Sequence, residues 1–344
     1  MEKTDVLSLF PEELEALAVS LGEQKFRGKQ LYDGLNRGVK TFREITNLPR
    51  RFLDVLEEQA ELRGMTTERK LVSKLDGTVK FLFGLQDGEA VESVFMRYKH
   101  GNTVCISTQV GCRMGCSFCA STKAGLKRSL TPSEMLLQVK CAEQETGEKV
   151  SNIVLMGMGE PLDNYDNVLR FLHLVNRKEG MNIGMRHISL STCGLVKEMD
   201  RLAEEKLQIT LSVSLHAPTD EKRREIMPIA RLYDLKTLMA ACDRYTAKTA
   251  RRISYEYALI AGVNDTPADA HALGKLLQGR LAHLNLIPVN PIRERSYQRS
   301  GREAIQAFAA ITESTYQVST TVRRRLGGDI DASCGQLRAA RDQL

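Results

Sequence analysis

No run of this chain is apolar for long enough to span a membrane as a helix. Its start, MEKTDVLSLFPEELEALA, carries acids early and has no apolar core of the secretory kind. These absences exclude a helical membrane protein and set the expectation of a cytoplasmic one. There is no internal repeat, low-complexity tract or long linker, so 344 residues form one large domain, or one with a smaller appendage. Charge of one sign is lacking too. Forty-nine basic residues against 43 acidic leave a net +6, too mild to mark a nucleic-acid binder by itself. Eight cysteines are too sparse for a disulfide scaffold. Without a secretory signal they belong to a reducing compartment, where any disulfide is transient and catalytic. Hydrophobic content of 42% and charged content of 27% describe an ordinary globular protein.

One further absence organises the rest. The stretch CISTQVGCRMGCSFCASTKAG (105–125) holds Cys112, Cys116 and Cys119 at C-x3-C-x2-C spacing, with no second CxxC nearby. Structural zinc sites and simple electron-transfer [4Fe–4S] sites take four protein ligands. Three thiolates leave one iron open to chelate the amino and carboxylate groups of S-adenosylmethionine (SAM). That iron can pass an electron to the sulfonium and release a 5′-deoxyadenosyl radical. The spacing resembles the signature of the radical-SAM superfamily. A zinc site with a distant fourth ligand, or three unrelated core thiols, are the competing readings.

Residues 1–95 read as an accessory domain. PEELEALAVSLGE has Leu14, Leu17 and Leu21 at helical spacing, and two more helices follow, broken by glycine and Pro49. The basic stretch from Lys25 to Lys40 is a candidate RNA contact or a packing cap. RKLVSKLDGTVKFLFGLQDGEAVESVFMR alternates around DG turns as a short β-hairpin extension. Residues 96–344 then alternate strand and helix. Strands are expected at TVCIST, 152–157, 187–192, 209–215, 253–260 and 283–289; helices are expected at 132–147, 164–178, 195–206, 234–247 and 266–280. Six such units predict an α/β fold, a partial (β/α)6 barrel whose site lies at the C-terminal strand ends. Residues 301–344 add a helix, a strand (YQVSTTVR) and a final polar helix.

The candidate ligand residues fall at those strand ends. GMGEP (157–161) carries Gly159 and Glu160 on a tight turn, suited to meet an ammonium with one carboxylate. LSTCG supplies Ser191, SLH supplies Ser214, Leu215 and His216, and PVNP supplies Asn290. Each alone is equally a strand-end cap. Cys141, Cys193 and Cys242 read as passive core or surface residues. Cys334, in GGDIDASCGQL, sits on a glycine-rich loop where a thiol is exposed and reactive, and Cys105 leads into the three-cysteine loop. Basic residues recur near the cysteines (Arg97, Lys99, Lys123, Lys127, Arg128 and Arg323 to Arg325), most simply as solvated surface.

Together CISTQVGCRMGCSFCASTKAGLKR, GMGEP, SLHAPTDEKR, LIPVNP and GDIDASCGQL resemble the radical-SAM adenine methyltransferases of the RlmN/Cfr family, over nearly the whole chain. GMGEP and LIPVNP look more like its C2 enzymes than its C8 enzymes. The resemblance implies a [4Fe–4S] cluster on Cys112, Cys116 and Cys119, and two SAM molecules per turnover. It implies methylation of adenine C2 in the peptidyl-transferase centre of 23S rRNA and 3′ to the anticodon in some tRNAs. It further implies an electron donor such as a flavodoxin system, and a monomer is expected. Adenine C2 has no lone pair for polar methyl transfer. By resemblance, Cys334 therefore takes a methyl group as a thiolate and becomes a thiomethylene radical that adds to C2. Cys105 then attacks the Cys334 sulfur, releasing the base and leaving a disulfide for a reductant to reset. Glu92 matches the family's proton acceptor, with Cys105 the competing candidate. The alternatives are a C8 methyltransferase of the same rRNA adenine, linked to antibiotic resistance, and a non-catalytic metal-containing RNA-binding protein.

Overall fold

The computed structural model describes residues 3–292 and 296–337. The expected final polar helix falls almost wholly outside the described residues. The first 61 residues build a helical module: strand β1 (Thr4–Asp5), helices α1 (Pro11–Ser20), α2 (Phe26–Asn36) and α3 (Arg50–Gln59), and strand β2 (Ala60–Glu61). Proline opens α1, where a missing N–H costs nothing, and the Glu13 carboxylate accepts the Phe10 N–H at 2.7 Å. Gly28 lets α2 press onto α1, because a Cβ there would lie 2.3 Å from the Glu15 backbone. Leu14, Leu31, Leu35, Phe42, Phe52 and Leu56 close a core separate from that of the rest of the chain. Of the three basic residues that begin the candidate RNA contact, Lys25 faces Glu15 (3.3 Å), Arg27 bonds Gln30 (2.7 Å), and Lys29 is exposed.

Four strands follow in antiparallel succession: β3 (Thr66–Val72), β4 (Val79–Gly84), β5 (Ala90–Tyr98) and β6 (Gly101–Cys105). DG turns join β3 to β4 and β4 to β5 as expected, with Asp76 and Asp87 each accepting a backbone N–H two residues on, at 3.0 Å. Burial of Phe81, Phe83 and Phe95 contributes about 1.5–3 kcal/mol each. A small ladder, β7 (Gln109–Gly111) with β8 (Leu126–Ser129), brackets the cysteine loop.

The chain then alternates through α4 (Pro132–Thr146), β9 (Asn152–Leu155), α5 (Tyr165–Asn176), β10 (Ile188–Thr192), α6 (Val196–Glu204) and β11 (Thr210–Ser214). It continues through α7 (Asp220–Ile226), α8 (Leu235–Thr249), β12 (Ile253–Leu259), α9 (Pro267–Leu277), β13 (Ala282–Pro288), α10 (Arg302–Ala310) and β14 (Thr320–Val322). Strands β6 and β9 to β13 are the six expected, each parallel to the next, and β14 adds a short seventh. Helix α7 had no counterpart in the sequence reading. Strand-end residues from β9 through β13 line one cavity, so the sheet curls into a partial barrel. On its other side β6 pairs with β5, and the ladder runs unbroken to β3, giving ten strands in all. The expected boundary at residue 95 thus falls within β5.

Candidate active site

The chain leaves β6 at Cys105 and is gripped at once. Ser107 donates its N–H to Gln138 Oε1 (2.8 Å) and accepts from Gln138 Nε2 (3.0 Å), while its hydroxyl donates to the Glu92 carbonyl (2.7 Å). The β7–β8 ladder closes the base of the loop, where the Cys112 N–H donates to the Gly125 carbonyl (3.0 Å). Ser117 N–H reaches the Ile226 carbonyl at the end of α7 (2.9 Å). Backbone bonds at both ends and in the middle fix the three thiols in place.

Cys112, Cys116 and Cys119 line a single cavity of about 160 Å³. Burial pushes the Cys112 thiol up to about 12 and drives Cys116 and Cys119 upward as well. Such a donor set gives up its protons to a metal rather than to water. Among the described residues no three His, Cys, Asp or Glu groups are arranged to hold a single ion. Three buried thiols that line one cavity fit a cluster held by three protein ligands. The same cavity is lined by Gly159, Glu160, Ser191, Ser214, His216 and Asn290, as the sequence predicts. Gly159 has φ +99°, and a Cβ there would meet the Gln109 side chain at 2.6 Å, so glycine is required at this turn. Burial raises the pKa of Glu160, against hydrogen bonds from Cys193 N–H (2.8 Å) and Leu162 N–H (3.1 Å) to its carboxylate. Asn290 Oδ1 is buried without a partner, an acceptor left for a ligand, while its Nδ2 donates to the Cys334 carbonyl (3.2 Å).

His216 lines the cavity and also caps backbone. Its Nδ1 accepts the Ala258 N–H (2.9 Å), which fixes the proton on Nε2, and burial drives its pKa down to about 3. Its left-handed φ of +55° is held by Asn264 Nδ2 on its carbonyl (2.7 Å). Leu215 is the exception among the ligand candidates. Its side chain is fully buried in the barrel core and does not line the cavity, so only its backbone faces the strand ends. Cys193, read as passive from the sequence, lines this cavity.

A second cavity, of about 40 Å³, holds Cys105 and Cys334 together. Burial pushes Cys105 up to about 12, the Cys334 charge adds to that, and Arg323 opposes it. The Cys334 loop is held mostly by side chains distant in sequence. Asp329 accepts from Ser73 Oγ (2.6 Å) and Lys74 N–H (2.9 Å), Asp76 accepts the Gly327 N–H (2.9 Å), and Lys80 reaches the Asp331 carbonyl (3.1 Å). Ala120 N–H donates to the Gly335 carbonyl (2.8 Å), tying this loop to the three-cysteine loop. Glu92 lines neither cavity. It is buried against Lys80 (3.0 Å), on the same face of β5 as Val94 and Met96, which do line the thiol cavity. Near the cysteines, Arg97 pairs with Glu148, Lys127 with Glu89, and Arg128 with Asp87 and Glu134. The sequence reads Arg323 as solvated surface, yet Arg323 lines both cavities, and the sequence does not single out Arg223, a fully buried cation bonded to the carbonyls of Cys193 (2.8 Å) and Leu215 (3.2 Å).

Residues 106–273 match the model of the radical SAM superfamily. The chain is 52% identical over 98% of its length to a protein of Alkaliphilus metalliredigens, covering 96% of that protein. It is 53% identical over 95% of its length to one of Symbiobacterium thermophilum, covering 89% of it. Both are named "Probable dual-specificity RNA methyltransferase RlmN". The crystal structure of a radical SAM methyltransferase from Sphaerobacter thermophilus superposes with a TM-score of 0.93 at 42% identity, over 98% of this chain and all of that one. The superfamily implies SAM and a [4Fe–4S] cluster, and the chain belongs to the RlmN family of radical SAM enzymes.

Proposed function

We propose that the protein is a radical-SAM RNA methyltransferase that methylates adenine at C2, in 23S rRNA and in some tRNAs. The observation that carries this reading is the pairing of Cys105 with Cys334 in a cavity adjoining that of the three cluster cysteines. A metal-containing binding module has no use for two such thiols. When bound, the cluster and SAM supply a methyl group and a hydrogen-abstracting radical. Cys112, Cys116 and Cys119 would hold the cluster, and Glu160, Ser191, Ser214, His216 and Asn290, which line the same cavity, would surround the SAM.

The chain's own chemistry lies in the two thiols. Cys334 carries the methyl carbon as a thioether and delivers it to the base. Once the C2 proton has left, the Cys105 thiolate forms a bond to the Cys334 sulfur, the carbon–sulfur bond breaks with its electron pair staying on the base, and the exocyclic methylene carbon takes up a proton to complete the methyl group. The C2 proton leaves to Glu92, with Cys105 the rival acceptor. The resulting Cys105–Cys334 disulfide needs a thiol reductant, and the reaction uses two SAM molecules and a low-potential electron donor such as a flavodoxin system. A base taken into this site has left its stack, so the substrate is unpaired or extruded RNA, and binding weakens with salt. We assign residues 1–95 an accessory role that includes RNA contact and, through Glu92 on β5, the proton acceptor; residues 96–344 supply the rest of the catalysis, and the enzyme is assigned a cytoplasmic, monomeric state. No helix among the described residues is long and apolar enough to cross a membrane.

The test is anaerobic reconstitution with iron and sulfide, then incubation with SAM carrying a trideuterated methyl group and a short rRNA fragment. The expected product is 2-methyladenosine with two deuteriums. Three deuteriums mean intact methyl transfer and overturn the thiomethylene route, whereas a methyl group at C8 overturns the regiochemistry.

A further inference from the structure

The two cavities share five lining residues: Met156, Ile287, Asn290, Arg323 and Cys334. Arg323 is the only cation among them. It follows β14 directly, and its backbone N–H donates to the Leu286 carbonyl (2.8 Å), anchoring it to the sheet beside β13. Its side chain turns inward past the end of β9, where Nη1 lies 3.7 Å from Met156 Sδ. Arg324 and Arg325, next in the chain, are exposed and, of these two cavities, line the thiol one alone. Among the described residues no carboxylate is ion-paired with Arg323. Two acids share the larger cavity with it, neither ion-paired to it: Glu160 accepts from the Cys193 and Leu162 N–H groups, and Glu256, whose charge also favours the guanidinium, accepts from Ser254 (2.9 Å) and Asn285 (2.6 Å). A half-buried guanidinium without a carboxylate partner is costly unless an anion forms beside it.

We propose that Arg323 is the counter-charge for both reactive sulfurs, stabilising the Cys334 thiolate when it takes up the methyl group and the Cys105 thiolate when it attacks. This rests on the two-thiol reading above. Each step needs a thiolate in a largely buried cavity, where an uncompensated anion is disfavoured; of the four arginines that line the thiol cavity (Arg299, Arg323, Arg324 and Arg325) only Arg323 also lines the larger one. One cation suffices because the sulfurs take turns. While Cys105 is an anion, Cys334 is a neutral thioether, so Arg323 never has to balance two charges and the two thiolates never repel. The electrostatics agree with the geometry: the Cys334 charge is the largest influence holding the guanidinium in its charged form, and Arg323 opposes the burial that disfavours the Cys105 thiolate. The role belongs to a charge, so a lysine fills it where a neutral side chain cannot, whereas the Nη1 contact to Met156 Sδ is lost in any neutral variant.

The experiment compares Arg323→Met, which keeps the stem and removes the charge, with Arg323→Lys, which keeps a charge. The protein is cluster-loaded, with Cys334 shown by mass to be unmethylated. Iodoacetamide alkylation at pH 7.5 is followed separately on the Cys334 and Cys105 peptides. The Met variant is expected to react about tenfold more slowly at both sites, and the Lys variant within about threefold of wild type, since thiolate fraction sets the rate. Wild-type rates in Arg323→Met, or equal slowing in both variants, overturn the proposal. If the Met variant loses its iron or its thermal transition, Arg323→Gln replaces it with the same two outcomes. A wild-type protein that alkylates normally but makes no methyladenosine overturns the methyltransferase reading alone.

Discussion

Two loops carry the reactive sulfurs, and they are held in opposite ways. The three-cysteine loop follows a strand and is bracketed by its own ladder, so backbone bonds shape it: those at its base lie within about twenty residues, and Ser117 N–H adds one to the Ile226 carbonyl. The Cys334 loop, by contrast, hangs from β14 and is moored by Ser73, Asp76 and Lys80, some 250 residues earlier. One arrangement is local and rigid, as a ligand set must be. The other can be undone one side chain at a time, as befits a thiol that serves two cavities.

The largest effect separates the loops outright. Cys116→Ala is expected to lose iron and sulfide together with all methylation. Cys334→Ala is expected to keep the full cluster and lose methylation equally; iron and sulfide analysis beside product assay checks both, and wild-type activity in Cys334→Ala would remove the covalent mechanism. A smaller effect tests the mooring. Asp76→Ala removes the acceptor of the Gly327 N–H, a charge-assisted bond contributing about 1.5–3 kcal/mol, and is expected to lower turnover about tenfold without changing iron content. Equal loss of cluster would show that the loops are not independently held.

The smallest effect is that of pH. Asp329 is held below the ordinary carboxylate range, first by the Ser73 hydrogen bond. Asp76 is lowered too, although burial opposes it, by bonds from Thr78, Gly327 and Ser73. A lowered folded pKa means stability that is present above the unfolded value, near 4, and lost as pH falls through the folded one. Hydrogen exchange at Gly327 N–H, corrected for intrinsic rate, is therefore expected to show constant protection from pH 8 to pH 5. Protection that fades within that range would show that these carboxylates do not moor the loop.

The same contrast explains what was legible in the sequence. Cys112, Cys116, Cys119 and the strand-end residues Glu160, Ser191, Ser214 and Asn290 stand in short motifs whose positions follow from the strand–helix alternation, and all of them line the expected cavity. Leu215 lies between two such residues in sequence, but its side chain takes the core side of the chain, as alternation would have foretold. Arg323 was hidden in a run of three arginines that reads as solvated surface, and only the fold shows that one turns in while its neighbours stay out. The role of the β3–β4 turn was equally hidden, since no spacing rule links Asp76 to Gly327. Nor does alternation around DG turns show that the hairpin strands continue the barrel sheet.

That long-range mooring also orders events during synthesis. A nascent chain that has not yet reached residue 323 already contains every cluster ligand and every strand-end residue of the larger cavity, but no Cys334 and no Arg323. On the function proposed above, the chain thus makes its cluster ligands first and the sulfur that would carry carbon to a base last.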